Sequence, residues 1–292
     1  MDAPLVSIIT VNFNQWEETC ELLRSLERIT YPNWEAIVVD NGSEMSAPNE
    51  IEERFSSVRF LFANKNLGFA GGNNFALASC AGEFILFLNN DVEVEPDFLE
   101  PLVHAFSFFP KLGAASPRIH FFHRPGRLQY AGSTEMSPYT IRNSTFGHGQ
   151  KDQGQYLDSR LTAYIHGAAM IVSKAVIEDV GTMYEDYFLY YEEYDWCHRM
   201  KKKGFQIAYV GDSLVHHKES VSTGKKSPLK IFYLTRNRLL FARRNFSWGQ
   251  RIFAMLFFAF VSIPKNILRY SLKGEWPLAQ AFLKGVWWNL TH

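Results

Sequence analysis

Short apolar runs alternate with helix-like segments over the first third of the chain. Four runs rich in β-branched or aromatic residues are predicted to be strands: residues 5–12, 34–40, 58–63 and 83–89. Three segments between or after them are predicted to be helices: residues 15–29, 73–80 and 97–109. The first of these helices follows Asn14, a residue type suited to capping. Apolar strands that alternate with helices indicate an α/β fold with a mostly parallel central sheet.

The second half of the chain has a less regular pattern. Residues 117–160 are rich in Gly, Pro, His and Ser, and we interpret them as loops and short strands near the functional site. Regular patterns return as a strand at 161–172, a helix at 191–203 and a strand at 206–210. His216 and His217 then fall in a polar loop about seven residues after that last strand.

Polar side chains end several of the predicted strands. Asn12 and Asp40 each close a buried strand, and the triplet Asn89-Asn90-Asp91 follows another. Sheets of this kind bind ligands beyond the carboxyl ends of their strands, so we expect these residues to cluster there. Asp40 is suited to accept a hydrogen bond from a base or ribose; the alternative is an Asp that caps its own turn.

A divalent cation is one candidate ligand of this strand edge. Mg²⁺ and Mn²⁺ prefer oxygen ligands and keep waters while bridging phosphates, so the single carboxylate of Asp91 can suffice. One imidazole of the His216-His217 pair is a plausible additional ligand. The alternatives are a polar turn at 89–91 and a histidine pair without a role in the site.

The densest acidic and aromatic cluster is Tyr-Tyr-Glu-Glu-Tyr-Asp-Trp at 190–196. In a helix, Glu192, Asp195 and Arg199 share one face, so that Arg199 can hold the two acids in place. Glu193 points elsewhere and is a candidate general base for a substrate hydroxyl. The alternative is a helix start that carries acids for the helix dipole.

Composition excludes several classes of protein. With 47% hydrophobic and 21% charged residues among 292, the chain is neither disordered nor fibrous. Three widely spaced cysteines exclude a disulfide framework, and no secretory signal opens the chain, so we expect a cytoplasmic protein. Neither GxGxxG nor a P-loop motif is present.

The zero net charge conceals an asymmetry between the body and the C-terminal segment. Residues 225–292, here called the tail, hold twelve basic residues and one acidic residue, and are crowded with Phe and Trp. The apolar stretch 252–263 ends at Pro264 and is too short to span a membrane, which needs about 20 residues. Basic helices with aromatic residues are typical of membrane interfaces. The alternatives are packing on the body or on a second copy of the chain; no nucleic-acid motif supports a nucleic-acid partner.

Seven motifs occur in an order that resembles a known family: VSIITVNFN, VVDNGS, NKNLGFAGGNN, FLNNDVEV, HGAAMIV, YYEEYDWCHRMKKKGF and HHKESVSTG. Together they are similar to the family 2 glycosyltransferases, in particular the bacterial rhamnosyltransferase-like branch, over residues 5–240. The resemblance implies a GT-A fold and an inverting transfer from a nucleotide-diphosphate sugar.

The resemblance also implies roles for individual residues. Asp40 is expected to contact the pyrimidine base, with the loop 64–74 against the nucleotide. The nucleotide-binding residues implied are Asn12, Asp40, Asn64, Gly68, Gly72, Asn73 and Asn90. Asp91 is expected to bind the Mg²⁺ or Mn²⁺ that bridges the diphosphate, with His217 near it. Glu193 is the implied catalytic base, with Glu192 or Asp195 as the other candidates.

Two positions depart from the family pattern. Asn89 replaces the first acid of the DxD triplet, and Glu193 replaces an Asp in the usual Glu-Asp pair. These departures leave open a second hypothesis, a membrane-bound nucleotide-sugar binding or scaffolding protein that has lost catalysis.

The first hypothesis is an inverting, metal-dependent transferase at the inner face of the cell membrane. It would move a sugar, rhamnose among the candidates, from a dTDP- or UDP-linked donor to a cell-envelope glycan or a lipid-linked acceptor. The expected organisation is a GT-A domain at 1–224, with a nucleotide-sugar half (1–115) and an acceptor half (116–224). The basic, aromatic helical tail at 225–292 would follow it, as a membrane-interface or oligomer contact.

Overall fold

One mixed sheet organises the chain in the computed structural model, which describes residues 3–44, 47, 51–218 and 227–292. Its strands are β1 (Val6–Asn12), β2 (Trp34–Asp40), β3 (Val58–Phe62), β4 (Phe84–Leu88), β5 (Val92–Val94), β6 (Leu112–Phe121), β7 (Leu128–Tyr130), β8 (Arg160–Leu161), β9 (Ala169–Ser173) and β10 (Gln206–His217). The order is β3-β2-β1-β4-β9-β6-β10-β5, with β7 beside β6 and β8 beside β10.

The first four strands in this order are parallel, which confirms the parallel unit predicted from the apolar runs. Beyond β4 the sheet is mixed rather than mostly parallel. Strand β9 runs antiparallel to both β4 and β6, and β10 runs parallel to β6 and antiparallel to β5. The α/β class is therefore confirmed, with parallel pairing concentrated in the first half.

Helices cover both faces of the sheet and extend beyond it. They are α1 (Trp16–Leu26), α2 (Ile51–Arg54), α3 (Gly68–Ala76), α4 (Leu99–Phe108), α5 (Lys174–Val180), α6 (Glu192–Lys202), α7 (Pro228–Asn245), α8 (Trp248–Phe257), α9 (Ile263–Leu272) and α10 (Trp276–Thr291). Alternate residues of each central strand enter two different core clusters: Ile8, Val38 and Leu86 in one, and Ile9, Ile37 and Phe87 in the other. Burial on both faces explains why these strands have no polar alternation.

The two strands at the far side of the sheet were misjudged from the sequence. Strand β6 begins at Leu112 and includes Pro117, within a region predicted to be partly loop. Strand β10 continues past the predicted end at 210 as far as His217, so the prediction of a polar loop around the histidine pair is wrong. The register shifts between Val210 and Leu214, opposite Pro117 and Arg118. Proline cannot donate to the ladder, and a bulge at this point lets the strand continue.

Helix α3 starts at Gly68, five residues before the predicted start, because the glycines of this segment hide its helical pattern. The Gly68 N–H donates to Asn66 Oδ1 at 2.8 Å. The predicted strand at 161–172 is divided into β8 and β9, with an irregular stretch at 162–168 between them. Asn14 does not cap α1, whose N-cap residue is Gln15. The Gln15 N–H donates to Asn12 Oδ1 at 3.2 Å.

The C-terminal helices correct a further prediction. Helices α8 and α9 join through a π-helical segment, Phe258–Ser262, into one continuous helix from Trp248 to Leu272. Pro264 lies inside it, because the wider π turn accommodates a residue that would otherwise clash with the preceding turn. This helix has 25 residues and is long and apolar enough to cross a membrane, and 17% of its most apolar window is buried in the protein. The boundary expected at 224/225 lies outside the described residues.

Candidate active site

A cavity of about 390 Å³ opens at the carboxyl ends of the parallel strands. The chain reaches it from Val11 at the end of β1, from Asn41 after β2 and from the triplet 89–91 after β4. From residues that follow β6 in the chain, the lining includes Gln129, His166, Gly167, Phe188, Tyr190, Glu192, Glu193, His217 and Lys230. Of the strand-end polar residues expected to cluster, the triplet 89–91 lines this cavity, whereas Asn12 and Asp40 do not.

Asp91 and His217 meet at one end of this cavity, since β10 carries His217 to the loop that follows β4. His217 Nε2 lies 3.2 Å from Asp91 Oδ1, and both side chains are more than nine-tenths buried. On its other side, His217 Nδ1 donates to Gln129 Oε1 at 2.9 Å.

The charge state of Asp91 suits a cation. Burial alone would raise the pKa of its carboxyl, but the proximity and charge of His217 outweigh it and the pKa lies below its ordinary value. The Oδ1 atom is buried without a hydrogen-bond partner among the described residues. An orphaned carboxylate oxygen that faces an imidazole nitrogen fits a divalent cation, which would satisfy both atoms.

The described residues supply only part of a coordination shell. No group of three or more His, Cys, Asp or Glu side chains suited to a metal ion occurs in that part of the chain. A Mg²⁺ or Mn²⁺ ion bound at Asp91 would therefore depend on diphosphate oxygens and water for its other ligands, which is common for Mg²⁺ with phosphate substrates.

Glu192 and Glu193, here called the acid pair, open α6 on another wall of the cavity. The Glu193 carboxyl lies beside Gly167, where an added Cβ would come within 3.9 Å of its carboxyl carbon. Burial raises the pKa of Glu193 to about 7, even though backbone N–H groups at the helix start favour the charged form. Burial and the adjacent Glu193 charge raise the pKa of Glu192 well above its ordinary range.

Asp195, the third candidate catalytic acid, is placed differently. It is fully buried and does not line the cavity. Its carboxylate accepts from Arg199 Nε at 2.9 Å and from Asn245 Nδ2 at 2.8 Å, and it also pairs with Arg244. Arg199 therefore holds Asp195 as expected, whereas the Oε2 atom of Glu192 has no hydrogen-bond partner in the described part of the chain.

The residues expected to bind the nucleotide fall into two groups. Gly68, Asn73 and Asn90 line the cavity. Four others do not line it, namely Asn12, Asp40, Asn64 and Gly72. Asp40 accepts from Asn12 Nδ2 at 3.3 Å and from the hydroxyl of Ser43, so it does cap its own turn.

Asn64 is exposed, and Gly72 lies against Val11, where a Cβ would approach the valine methyl to 2.9 Å. Asn66, two residues later, lies in the cavity wall, where Asn64 was expected. Asn41 organises this wall: its Nδ2 donates to Gly68 O at 3.0 Å, and its Oδ1 accepts from Leu67 N at 3.0 Å.

The comparisons with known proteins agree with this geometry. The family model described as glycosyl transferase family 2 matches residues 7–181, more than half of the chain. The chain belongs to this family. The resemblance inferred from the seven motifs is therefore confirmed.

Two relatives indicate the branch. This family 2 glycosyltransferase is 26% identical over 252 residues to the low-salt glycan biosynthesis hexosyltransferase of Haloferax volcanii, which covers 83% of this chain and 76% of that protein. It is 24% identical over 241 residues to the N-acetylglucosaminyl-diphospho-decaprenol L-rhamnosyltransferase of Mycobacterium tuberculosis, covering 76% and 78%.

A solved structure shows the same fold. The mannosyltransferase of Pyrobaculum calidifontis in complex with GDP-Man and Mn²⁺ superposes with a TM-score of 0.59 at 16% identity, over 98% of this chain and 81% of that one. At this identity the likeness shows the GT-A fold alone.

Several cavity residues of this glycosyltransferase were missed in the sequence. Asn41 lies inside the motif VVDNGS but was assigned no role, and Gln129 lies in the irregular segment 117–160. His166 is half-buried beside His217, with ring centroids 6.0 Å apart, and desolvation of its ring lowers its pKa to about 3. The motif HGAAMIV contains His166, but only the bend between β8 and β9 brings it to the cavity.

Proposed function

We propose that this protein is an inverting, metal-dependent glycosyltransferase that uses a dTDP- or UDP-sugar. The acceptor is a hydroxyl of a cell-envelope glycan or of a lipid-linked glycan, and rhamnose is the first sugar to test. One observation carries the proposal: a single cavity holds both an orphaned carboxylate facing an imidazole and a carboxyl pair with raised pKa values. Titratable groups perturbed in this way within a cleft are typical of catalytic sites. The named relatives support a sugar as the group transferred.

The two ends of the cavity divide the reaction between them. Asp91 and His217 would hold the Mg²⁺ or Mn²⁺ ion, which supplies charge stabilisation for the departing nucleoside diphosphate. Asn41, Asn66 and Gly68 form the adjoining wall, beside which Asp40 and Asn12 form the turn after β2. We propose that this wall receives the nucleotide.

Glu193 acts as the general base. Its carboxylate removes the proton from the acceptor hydroxyl, whose oxygen attacks the anomeric carbon on the face opposite the diphosphate, so one displacement inverts the configuration. A pKa near 7 places this group close to the ideal for proton transfer at neutral pH. Burial and the Glu193 charge raise the pKa of Glu192 well above its ordinary range, which disfavours a second negative charge beside Glu193.

Nucleotide binding gives a direct test of the donor. Thermal unfolding should be measured with UDP, dTDP, CDP or GDP, each with and without Mn²⁺. A ligand that binds only the folded state raises the unfolding temperature by mass action. We expect a metal-dependent rise with UDP or dTDP, and sugar transfer from the corresponding donor. If none of the four nucleotides raises the unfolding temperature, the transferase proposal is refuted and the scaffolding alternative is favoured.

We propose further that the C-terminal helices attach the enzyme to the inner face of the cell membrane. Large apolar side chains are exposed along them, among them Trp248, Phe253, Leu256, Phe260, Leu268, Leu272, Trp276, Trp287 and Leu290. Arg251, Lys265, Arg269 and Lys273 lie on the same elements or at their ends. Exposed apolar area beside basic residues suits a bilayer with anionic lipids.

Glutamate at Phe253 and Phe260 should weaken vesicle binding by about tenfold or more, because burial of each phenylalanine contributes about 1.5–3 kcal/mol. Their side chains are 59% and 75% exposed, so the folded protein should tolerate the change. Cosedimentation with vesicles containing phosphatidylglycerol measures the effect. The matched control is glutamate at Phe62 and Phe108, which are exposed elsewhere. Equal binding by both double variants, or a concentration-dependent dimer without vesicle binding, would contradict membrane attachment.

A further inference from the structure

The acid pair is preceded by a backbone segment that needs external support. Residues 186–191 lead directly into α6, and three of them, Phe188, Tyr190 and Tyr191, have positive φ angles of 61°, 71° and 78°. Positive φ is uncommon for non-glycine residues and bulky side chains disfavour it. Such a conformation persists only where the surroundings impose it. The segment also contributes Phe188, Leu189 and Tyr190 to the cavity wall.

Helix α7 provides this support through one buried amide. Asn237 is fully buried, and its Nδ2 lies within hydrogen-bond distance of three carbonyl oxygens of the segment. The distances are 2.8 Å to Tyr187 O, 2.7 Å to Leu189 O and 2.8 Å to Tyr190 O. A single side chain therefore collects carbonyls that a regular helix or strand would have paired.

The preceding residue completes the contact. Arg236 donates from Nη2 to Tyr187 O at 2.7 Å and to Asp186 O, and from Nε to Asn237 Oδ1 at 2.7 Å. The last of these bonds fixes the orientation of the Asn237 amide, so that its Nδ2 faces the carbonyls. Helix α10 in turn holds Arg236, since Asn289 Nδ2 donates to Arg236 O at 2.9 Å and Trp288 stacks near its guanidinium.

The far end of α7 also reaches α6. Asn245 donates to Asp195, which follows the acid pair in the first turn of that helix. Helix α7 thus contacts the chain on both sides of Glu192 and Glu193 in sequence. None of these α7 side chains lines the cavity, so their effect on substrate is exerted through the segment that they hold.

We propose that Asn237, oriented by Arg236, is a positioning residue that sets the backbone from which Glu193 reaches the acceptor. The inference rests on the proposed function for its catalytic consequence. Its structural consequence does not depend on any reaction: replacement of Asn237 should lower the order of residues 186–194 specifically. A displacement of catalytic groups by about 1 Å can lower a rate 100-fold, so a remote residue of this kind has a large effect.

The test compares Asn237→Ala with wild type by two measurements on the full chain. Amide hydrogen exchange of the unliganded protein, read by mass spectrometry, should be faster in the peptides covering 186–194 and unchanged in the strands of the sheet. Sugar transfer per folded molecule should show a kcat lowered roughly 10- to 100-fold. Mn²⁺-dependent nucleotide stabilisation, which reads the Asp91 end of the cavity, should persist.

Two further variants keep the test decisive. Asn266→Ala is the matched control, because Asn266 donates to Ser262 O within its own helix, far along the chain from the acid pair; neither measurement should change. Arg236→Lys keeps the charge and loses the planar donor fork, so it should show a smaller increase in amide exchange at 186–194. This variant replaces Asn237→Ala in the test if Asn237→Ala does not fold.

The outcomes separate the two proposals. Unchanged exchange at 186–194 in folded Asn237→Ala, or an unchanged kcat beside an active wild type, would overturn the positioning role and leave the transferase proposal intact. Faster exchange confined to 186–194 in an inactive protein would support the positioning of the segment while the transferase proposal failed on its own assay.

Discussion

Glu193→Gln should lower the rate constant for sugar transfer by roughly 10²- to 10⁴-fold, the contribution typical of a general base. Glutamine keeps the shape of the side chain but cannot accept the proton of the acceptor hydroxyl. Donor binding should be retained, because the Asp91 end of the cavity is unaltered. Initial rates at saturating donor, together with Mn²⁺-dependent nucleotide stabilisation, measure the two quantities separately.

The pH dependence gives the same prediction a second signature. Burial raises the pKa of Glu193 to about 7, and the base works only when ionised, so the wild-type rate should rise as pH increases through about 7. The residual rate of Glu193→Gln should lack this rise. The folded state keeps Glu193 protonated to a higher pH than the unfolded chain does, so the carboxyl disfavours folding above its unfolded pKa. The variant should therefore be at least as stable as wild type at pH 7.

Two further variants complete this test: a control outside the cavity, and the substitution of the other member of the acid pair. Glu178→Gln on α5 is the matched control, since Glu178 is exposed and outside the cavity, and its activity should equal that of wild type. Full activity of Glu193→Gln would exclude Glu193 as the base. Loss of activity in Glu192→Gln alone would assign the role to Glu192.

Asp91→Asn should abolish the stabilisation by nucleotide that depends on Mn²⁺ and lower turnover roughly 100-fold or more. The reason is that a neutral amide replaces the carboxylate that pairs with His217, and the stabilisation of diphosphate charge by a metal contributes several kcal/mol. Without metal, the unfolding temperature at pH 7 should be lower than that of wild type, because the pKa of the Asp91 carboxyl lies below its ordinary value, so that its charge favours the folded state, and the amide lacks this charge.

The control for this variant is Asp97→Asn, which removes an exposed carboxylate from the loop before α4. It should keep the metal-dependent rise in unfolding temperature. A rise of equal size in Asp91→Asn and wild type would show that Asp91 does not hold the cation, and would direct attention to diphosphate binding without metal.

Local pattern was sufficient for the first half of the fold. Strand β2 was predicted with its observed bounds, and β1, β3 and β4 within one residue at each end, because both faces of these strands are buried and their sequences are continuously apolar. The fold class and the family followed from these strands and from motifs that stay contiguous in the chain.

Elsewhere, as in β10 and α3, contacts between distant residues decide the structure, and the local sequence pattern predicted it wrongly. The histidine pair looked like part of a loop because Gly211 and Asp212 interrupt the apolar run of β10, and only pairing with β6 and β5 carries the strand through that interruption. Helix α3 was shortened because its glycines are poor helix formers, although the close approach of Phe188 at Gly68 requires one of them: a Cβ there would lie 2.3 Å from Phe188 O.

The sequence by itself determined the α/β class, the family, the positions of Asp91, Glu192 and Glu193, and the charge and aromatic content of the tail, since each depends on residues that are neighbours in the chain. The tertiary structure decided which of these groups meet. It brought His217 to Asp91 and withdrew Asp195 from the cavity into a network with Arg199 and Asn245. It also drew the first helix of the tail onto the segment that carries the acid pair. The physical reason is that burial and hydrogen-bond partners are set by packing between distant elements, and no local pattern records them.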